Sequence, residues 1–304
     1  MHRILAGVGD GSMSAAIRAD EPAEAAVAGI LLRLFDGVMA NVAGTLADTD
    51  PECLHDLRVG VRRTRSLLKL TGDVLPDGLA SRYARPFRWL GTLTTPVRDL
   101  DVQLLGFDEL AAGVPAARRG ELEPYRRYLR EERAARFEQL TRGLTGTRFA
   151  QLRDGWRSEL SAVTAEPAGP AAGVLAEQRI DRARRAVAKR AGRLTHASSP
   201  GDVHDLRKRA KELRYLLEAF GPVYADGGVR RTVRELKRLQ DVLGAYQDAE
   251  VQLTAVRDYA SREAPAPAAL ADLVAVLETR RERARSDLVA RLDGFLSRSP
   301  AAPA

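Results

Sequence analysis

Five basic side chains, His55, Arg58, Arg62, Arg65 and Lys69, follow one another at spacings of three, four, three and four residues. On an α-helix at about 100° per residue these positions fall within an arc of about 80°, so all five share one face. A seam with this spacing ordinarily carries Leu or Ile. Here it carries cations. The stripe runs beside the apolar arc of Leu54, Leu57, Val61 and Leu68 and not opposite it, which places it at the border of a packed interface. Like charges at i, i+3 and i+4 destabilise a helix by a few tenths of a kcal/mol per pair, a penalty that a bound polyanion offsets. Arg presents a forked pair of donors to phosphate oxygens and Lys a point charge, so the expected chemistry is recognition of a phosphate-rich anion.

The pattern returns 149 residues later. His55-Asp56-Leu57-Arg58 recurs as His204-Asp205-Leu206-Arg207, Arg65 aligns with Arg214, and RDLDVQL at 98–104 aligns with QDAEVQL at 247–253. Pro51 and Pro200 also match, each after a good helix cap, Asp50 and Ser199. The second stripe is His204, Arg207, Lys211 and Arg214, with Lys208 as an added cation and Glu218 where the first copy has Lys69. The sequence therefore reads as an internal duplication. Further basic residues could line the same surface: Arg82, Arg85 and Arg88 in the first copy, and Arg230, Arg231, Arg234, Lys237 and Arg238 in the second.

Helices are the elements that must position these stripes. The apolar residues Val27, Ile30, Leu31, Leu34 and Val38 predict a first helix from Glu24 to about Leu46. A second runs from Pro51 to near Gly72. A third covers Leu79 to Gly113, with a break expected at Pro96, and its counterpart over Val229 to Ala260 is expected as one long helix. A fourth spans Ala116 to Leu144, mirrored by Ala268 to Leu296. With no strand-like alternation, the expectation is an all-α chain of two tandem four-helix bundles related by pseudo-twofold symmetry, the duplicated stripes joining into one basic groove. The boundaries read as a mobile arm over 1–22, a first repeat over 23–145, a connecting helix and linker over 146–171, a second repeat over 172–296 and a tail over 297–304.

Composition narrows the function classes. Of 304 residues, 45% are hydrophobic and 5% aromatic, and 48 Lys plus Arg against 41 Asp plus Glu leave a net charge of +7, which favours acidic partners without choosing one. The single cysteine, Cys53, excludes an intrachain disulfide and a cysteine metal cluster. Its counterpart is Asp202, so it reads as a small packing residue and not as a nucleophile. Asp99 with Asp101, and Asp248 with Glu250, stand at i, i+2 and point about 200° apart on a helix, so neither pair can share one metal ion. They read as partners of arginines, and no cofactor or metal is expected. No stretch reads as a signal-peptide core or a membrane span, so the expected location is cytoplasmic, without membrane insertion.

The strings HDLRVGVRRTRSLL and RDLDV, returning as HDLRKRAKELRYLLEAF and QDVLGAYQDAEV, resemble the CHAD family, the conserved histidine α-helical domain. The resemblance covers about 23–296, so that both repeats together form one CHAD domain. It implies two helical bundles around a basic groove that binds inorganic polyphosphate, and association with polyphosphate granules. Matched to this sequence, the basic signature falls on His55, Arg58, Arg62 and Arg65, then His204, Arg207, Lys211 and Arg214. CHAD domains often accompany a triphosphate-tunnel catalytic domain; this chain has no ExExK motif and no room for that barrel, so the expectation is a binder and not an enzyme. A nucleic-acid module is the alternative, disfavoured because no recognition-helix, RRM, KH or zinc signature is present and few aromatics lie among the arginines. A phosphate-processing enzyme finds no Walker A motif or clustered metal carboxylates.

Overall fold

A computed structural model describes residues 17–163, 169–224, 228–263 and 266–298. Most of the expected arm, part of the linker and most of the tail lie outside these residues. Among the described residues the chain is helical, with one isolated bridge pairing Pro22 and Ala171 and no strand. The helices are α1 (Ala23–Ala40), α2 (Val42–Ala47), α3 (Pro51–Thr71), α4 (Leu79–Leu105), α5 (Phe107–Ala111), α6 (Glu123–Thr145), α7 (Thr147–Ser161), α8 (Ala172–Ala191), α9 (Pro200–Phe220), α10 (Gly228–Ala260) and α11 (Ala268–Arg298). Helices α3 and α9 have 21 residues each, and 3-10 turns at Gly72–Val74 and Gly221–Val223 follow them. Asp50 caps α3 by accepting from the Glu52 N–H at 2.8 Å. Ser199 and Asp202 cap α9 reciprocally, Asp202 N–H to Ser199 Oγ and Ser199 N–H to Asp202 Oδ2.

The chain divides into two compact units that draw on both repeats. The first takes residues 1–91, 147–181 and 215–230; the second takes 92–146, 182–214 and 231–304. In the first, α1 lies on α3 through Val27, Leu31, Leu34 and Val38. Gly60 permits that closeness, since a Cβ there would sit 2.6 Å from Val38 Cγ2. Phe87 and Tyr83 meet Trp156 of α7, each ring 4.8 Å from it in edge-on geometry, and Phe35 meets Phe87 edge-on at 6.1 Å. Tyr83 donates to Glu159 at 2.7 Å; burial first, and that carboxylate second, push its hydroxyl pKa up to about 12. In the second unit Phe107, Leu110, Tyr125 and Leu129 pack with Leu253, Val256, Tyr259, Leu270 and Leu273, joining α4–α6 to α10 and α11.

Several expectations are corrected. The first helix breaks at Asn41, whose side-chain amide donates to the Gly37 carbonyl at 2.9 Å, a local bond that competes with helix propagation. Helix α4 passes through Pro96 unbroken and ends before Gly106; Pro96 removes one donor from the ladder, which packing of Leu90, Thr94 and Val97 outweighs. The fourth helix of the first repeat begins as a 3-10 segment, Ala116–Leu122, and becomes α-helical at Glu123. Helix α10 is one long helix, as expected. Residues 19–23, the end of the expected arm, are fastened to 170–173 by three backbone bonds of 2.8–2.9 Å, and Ile17 is buried. The stretch 23–47 is long and apolar enough by length and composition to cross a membrane, contrary to the sequence expectation. Its apolar face is buried against α3 and α7, the pattern of a core helix.

Candidate functional site

The first stripe lies on α3 as the spacing requires. His55, Arg58 and Arg62 are half-buried, whereas Arg65 and Lys69 are exposed. Arg62 Nε donates to the Tyr215 hydroxyl at 2.8 Å, which holds its guanidinium to one orientation. Arg63, off the stripe, bridges to Glu218 at 3.0 Å and lies over the Tyr215 ring at 5.7 Å. Glu218, which interrupts the second stripe in sequence, is therefore a structural partner of α3.

Arg65 crosses α4 at Gly91, where a Cβ would stand only 2.8 Å from its Nη1. Loss of hydration and the neighbouring Arg88 both lower the Arg65 pKa from its ordinary value. A cation is thus packed beside a cation. Of the additional candidates on α4, Arg82 is engaged by Glu159 at 2.5 Å, while Arg85 and Arg88 are exposed. On the same helix, Trp89 lies under the Arg148 guanidinium of α7, which is 4.4 Å from its ring centre.

The second stripe has other surroundings. In its unit α9 lies along α10: His204 Nδ1 meets Gln247 Oε1 at 3.2 Å, and Arg207 Nη2 is 3.6 Å from where a Cβ of Gly244 would be. Arg207 and Lys211 act on Asp248, as does Asp99 of α4. Asp248 is exposed, yet its neighbours strip enough water to raise its pKa above the ordinary carboxylate value. Arg207 and Lys211 oppose that rise, and Asp99 adds to it. Lys208 is exposed and Arg214 half-buried. The adjacent Arg209 is committed to Glu212 at 3.0 Å and stands 4.0 Å from Asp205. On α10, Arg230, Arg231, Arg234 and Lys237 are exposed, and Arg238 pairs with Glu235 at 2.7 Å.

The i, i+2 carboxylates diverge. Asp101, buried, pairs with Arg133 of α6 at 2.6 Å, and Glu250 accepts from the Tyr246 hydroxyl at 2.9 Å with Arg281 at 3.7 Å. No group of three or more His, Cys, Asp or Glu side chains placed to hold a metal ion occurs among the described residues. Cys53 is half-buried, its Sγ against Gly44.

Three features escaped the sequence reading. Gly91 makes room for Arg65. Trp89 puts an aromatic face among the arginines. Arg285 donates to the His196 and Ser198 carbonyls at 2.6 and 2.8 Å and so fixes the segment leading into α9. For Asp99 and Asp248 a signal existed, since they are equivalent at the 149-residue offset, but an offset does not say that the two carboxylates share surroundings.

A family model described as CHAD domain matches residues 29–257. No curated protein matches. Among solved structures, the crystal structure of the CHAD domain from the plant Ricinus communis is similar with a TM-score of 0.77 and 24% identity, covering 95% of this chain and 97% of that one. PptA from Streptomyces chartreusis is similar with a TM-score of 0.72 and 19% identity, covering 90% of this chain and 100% of that one. At such identities the two structures speak for the fold alone, an all-α fold of the same kind.

Proposed function

The chain belongs to the CHAD domain family, and from that premise we propose that it binds inorganic polyphosphate through the basic stripes of α3 and α9, without a catalytic step. The observation that carries this reading is Arg65 packed across Gly91 beside Arg88. Two guanidiniums near one another on neighbouring helices can each present a fork to one phosphate group. His55, Arg58, Arg62 and Lys69 extend the same face along α3, so a ligand with a phosphate at every short step of its length engages several cations at once. Association with polyphosphate granules in the cytoplasm would follow from such a ligand.

One observation favours a second reading. Trp89, with Arg148 over its ring, is a surface on which a nucleobase could stack, between arginines that could take its phosphates. Titration calorimetry with long-chain polyphosphate, triphosphate and single-stranded RNA at two salt concentrations tests both. Polyphosphate is expected to bind more tightly with increasing chain length, more tightly than RNA, and more weakly as salt rises. RNA binding equal to or tighter than polyphosphate would overturn the proposal in favour of the nucleic-acid reading.

A further inference from the structure

The α9 stripe has carboxylates built against it. Arg207 lies on α10 at Gly244 and His204 is bonded to Gln247; Asp248, one helical turn on from Gly244 and so on the same face of α10, is within electrostatic reach of Arg207 and Lys211 of α9 and of Asp99 of α4. We propose that Asp248, with Asp99 beside it, is an internal counter-anion of this stripe, which a phosphate chain displaces from Arg207 and Lys211 while Asp248 takes up a proton. The inference rests on the polyphosphate reading and adds its regulation: binding is coupled to proton uptake and tightens as the pH falls.

The direction follows from electrostatics. In the free protein, loss of hydration and Asp99 raise the Asp248 pKa, and Arg207 and Lys211 restrain the rise. A phosphate group seated on those two cations neutralises the restraint and brings a negative charge of its own. The carboxylate pKa is therefore higher in the complex than in the free protein. Between the two values the complex holds a proton that the free protein lacks, so affinity climbs as the pH falls through that window and levels off below it. By reciprocity, lowering the pH and adding ligand favour the same protonated state. The window lies above the ordinary carboxylate range, because the free value is already raised. The carboxylates also set a threshold for the ligand: a single phosphate competes poorly with a tethered pair of acids, whereas a chain whose other groups are anchored elsewhere on the stripe displaces them at high local concentration.

Titration of the full chain with long-chain polyphosphate, in buffers of different ionisation enthalpy at about pH 5, just above the ordinary carboxylate range, and at about pH 7, counts the protons taken up on binding. His204→Gln, a change on the same stripe that leaves Asp248 in place, is expected to keep the Asp248 share. Asp248→Asn is expected to bind about three- to tenfold more tightly near neutral pH, as removal of one competing charge at a part-exposed site allows, and to lose the uptake that His204→Gln keeps. If Asp248→Asn fails to melt cooperatively, Asp99→Asn takes its place. By removing the like charge it shifts the uptake to lower pH and tightens binding. Unchanged or weaker affinity in the variant, or undiminished proton uptake, overturns the counter-anion. A wild-type chain that binds no polyphosphate overturns the underlying reading as well.

Discussion

Helices α3 and α9 have the same length, begin on a proline and carry the same His-Asp-Leu-Arg string, yet their cations meet opposite surroundings within their own units. Arg65 of α3 is set against Arg88 over a glycine. Arg207 and Lys211 of α9 are set against Asp248, with Asp99 near it. At the α4 position that Arg65 crosses the two repeats also differ: Gly91 corresponds to Gln240, whose amide donates to the Ala210 carbonyl at 2.8 Å. Where α4 has no side chain, a guanidinium crosses it. Where α10 has an amide, the space is filled and the amide ties α10 to α9. One motif thus sets a cation over a bare stretch of α4 in one place and cations near a carboxylate in the other, and motif identity alone does not set the surroundings of a site.

The largest effect is expected when both stripes are reversed together. Arg58→Glu with Arg207→Glu should weaken polyphosphate binding by about a hundredfold or more, because each change removes an attraction and adds a repulsion. Helical content, followed by circular dichroism, should stay intact. Unaltered affinity in a folded double variant would remove the stripes from the site.

The stripes themselves were legible because helical periodicity is a local property: three- and four-residue spacings put His55 through Lys69 on one face whatever surrounds them. The same holds for the long α10 and for the proline starts of α3 and α9. The neighbours of each cation were not legible. Glu159 lies 77 residues from Arg82, and Arg63 and Glu218 come from different repeats, so no spacing rule could pair them. Pro96 misled for a related reason. Its cost to the helix is a local quantity, while the burial of Leu90, Thr94 and Val97 that keeps α4 continuous is tertiary. Asn41 erred in the other direction, a residue whose side chain ends a helix that apolar spacing would have carried on.

Neutralising rather than reversing charge sharpens the contrast between the regions. Arg65→Gln with Arg88→Gln should lose about thirtyfold in affinity, since two forked donors to phosphate are removed together. Arg207→Gln with Lys211→Gln should lose only about threefold, because Asp248 already cancels part of that attraction in the free protein. Equal losses, measured by the same titration, would mean that the surroundings of the two stripes make no difference to the ligand. A smaller change isolates the glycine. Gly91→Leu places a side chain where the Arg65 guanidinium now lies, and affinity should fall about three- to fivefold as that guanidinium is turned away from Arg88. The fold should gain or keep stability, as leucine replaces glycine inside a helix at a benefit of about 1 kcal/mol. Lower affinity with an unchanged or higher melting temperature separates the loss of a preorganised pair from damage to α4.

The smallest effect on binding is expected at Glu218, and it decides to which region that residue belongs. By sequence it occupies the end of the second stripe, where a carboxylate ought to weaken phosphate binding and its neutralisation ought to strengthen it. In the structure it faces Arg63 at 3.0 Å with both side chains largely buried, 25% and 15% exposed, and Arg63 in turn covers Tyr215, the residue that receives the hydrogen bond from Arg62. Glu218→Gln leaves the Arg63 charge half-buried without its counter-ion, which should cost about 1–2 kcal/mol of stability, less than a fully buried pair because water still reaches both groups. Polyphosphate affinity should change by less than about twofold, because Arg62 keeps its own bond to Tyr215. A melting temperature lowered at constant affinity assigns Glu218 to the support of α3. A marked gain in affinity at constant stability would return it to the α9 stripe, and Asp248 would then share its role as counter-anion with a second acid on the same surface.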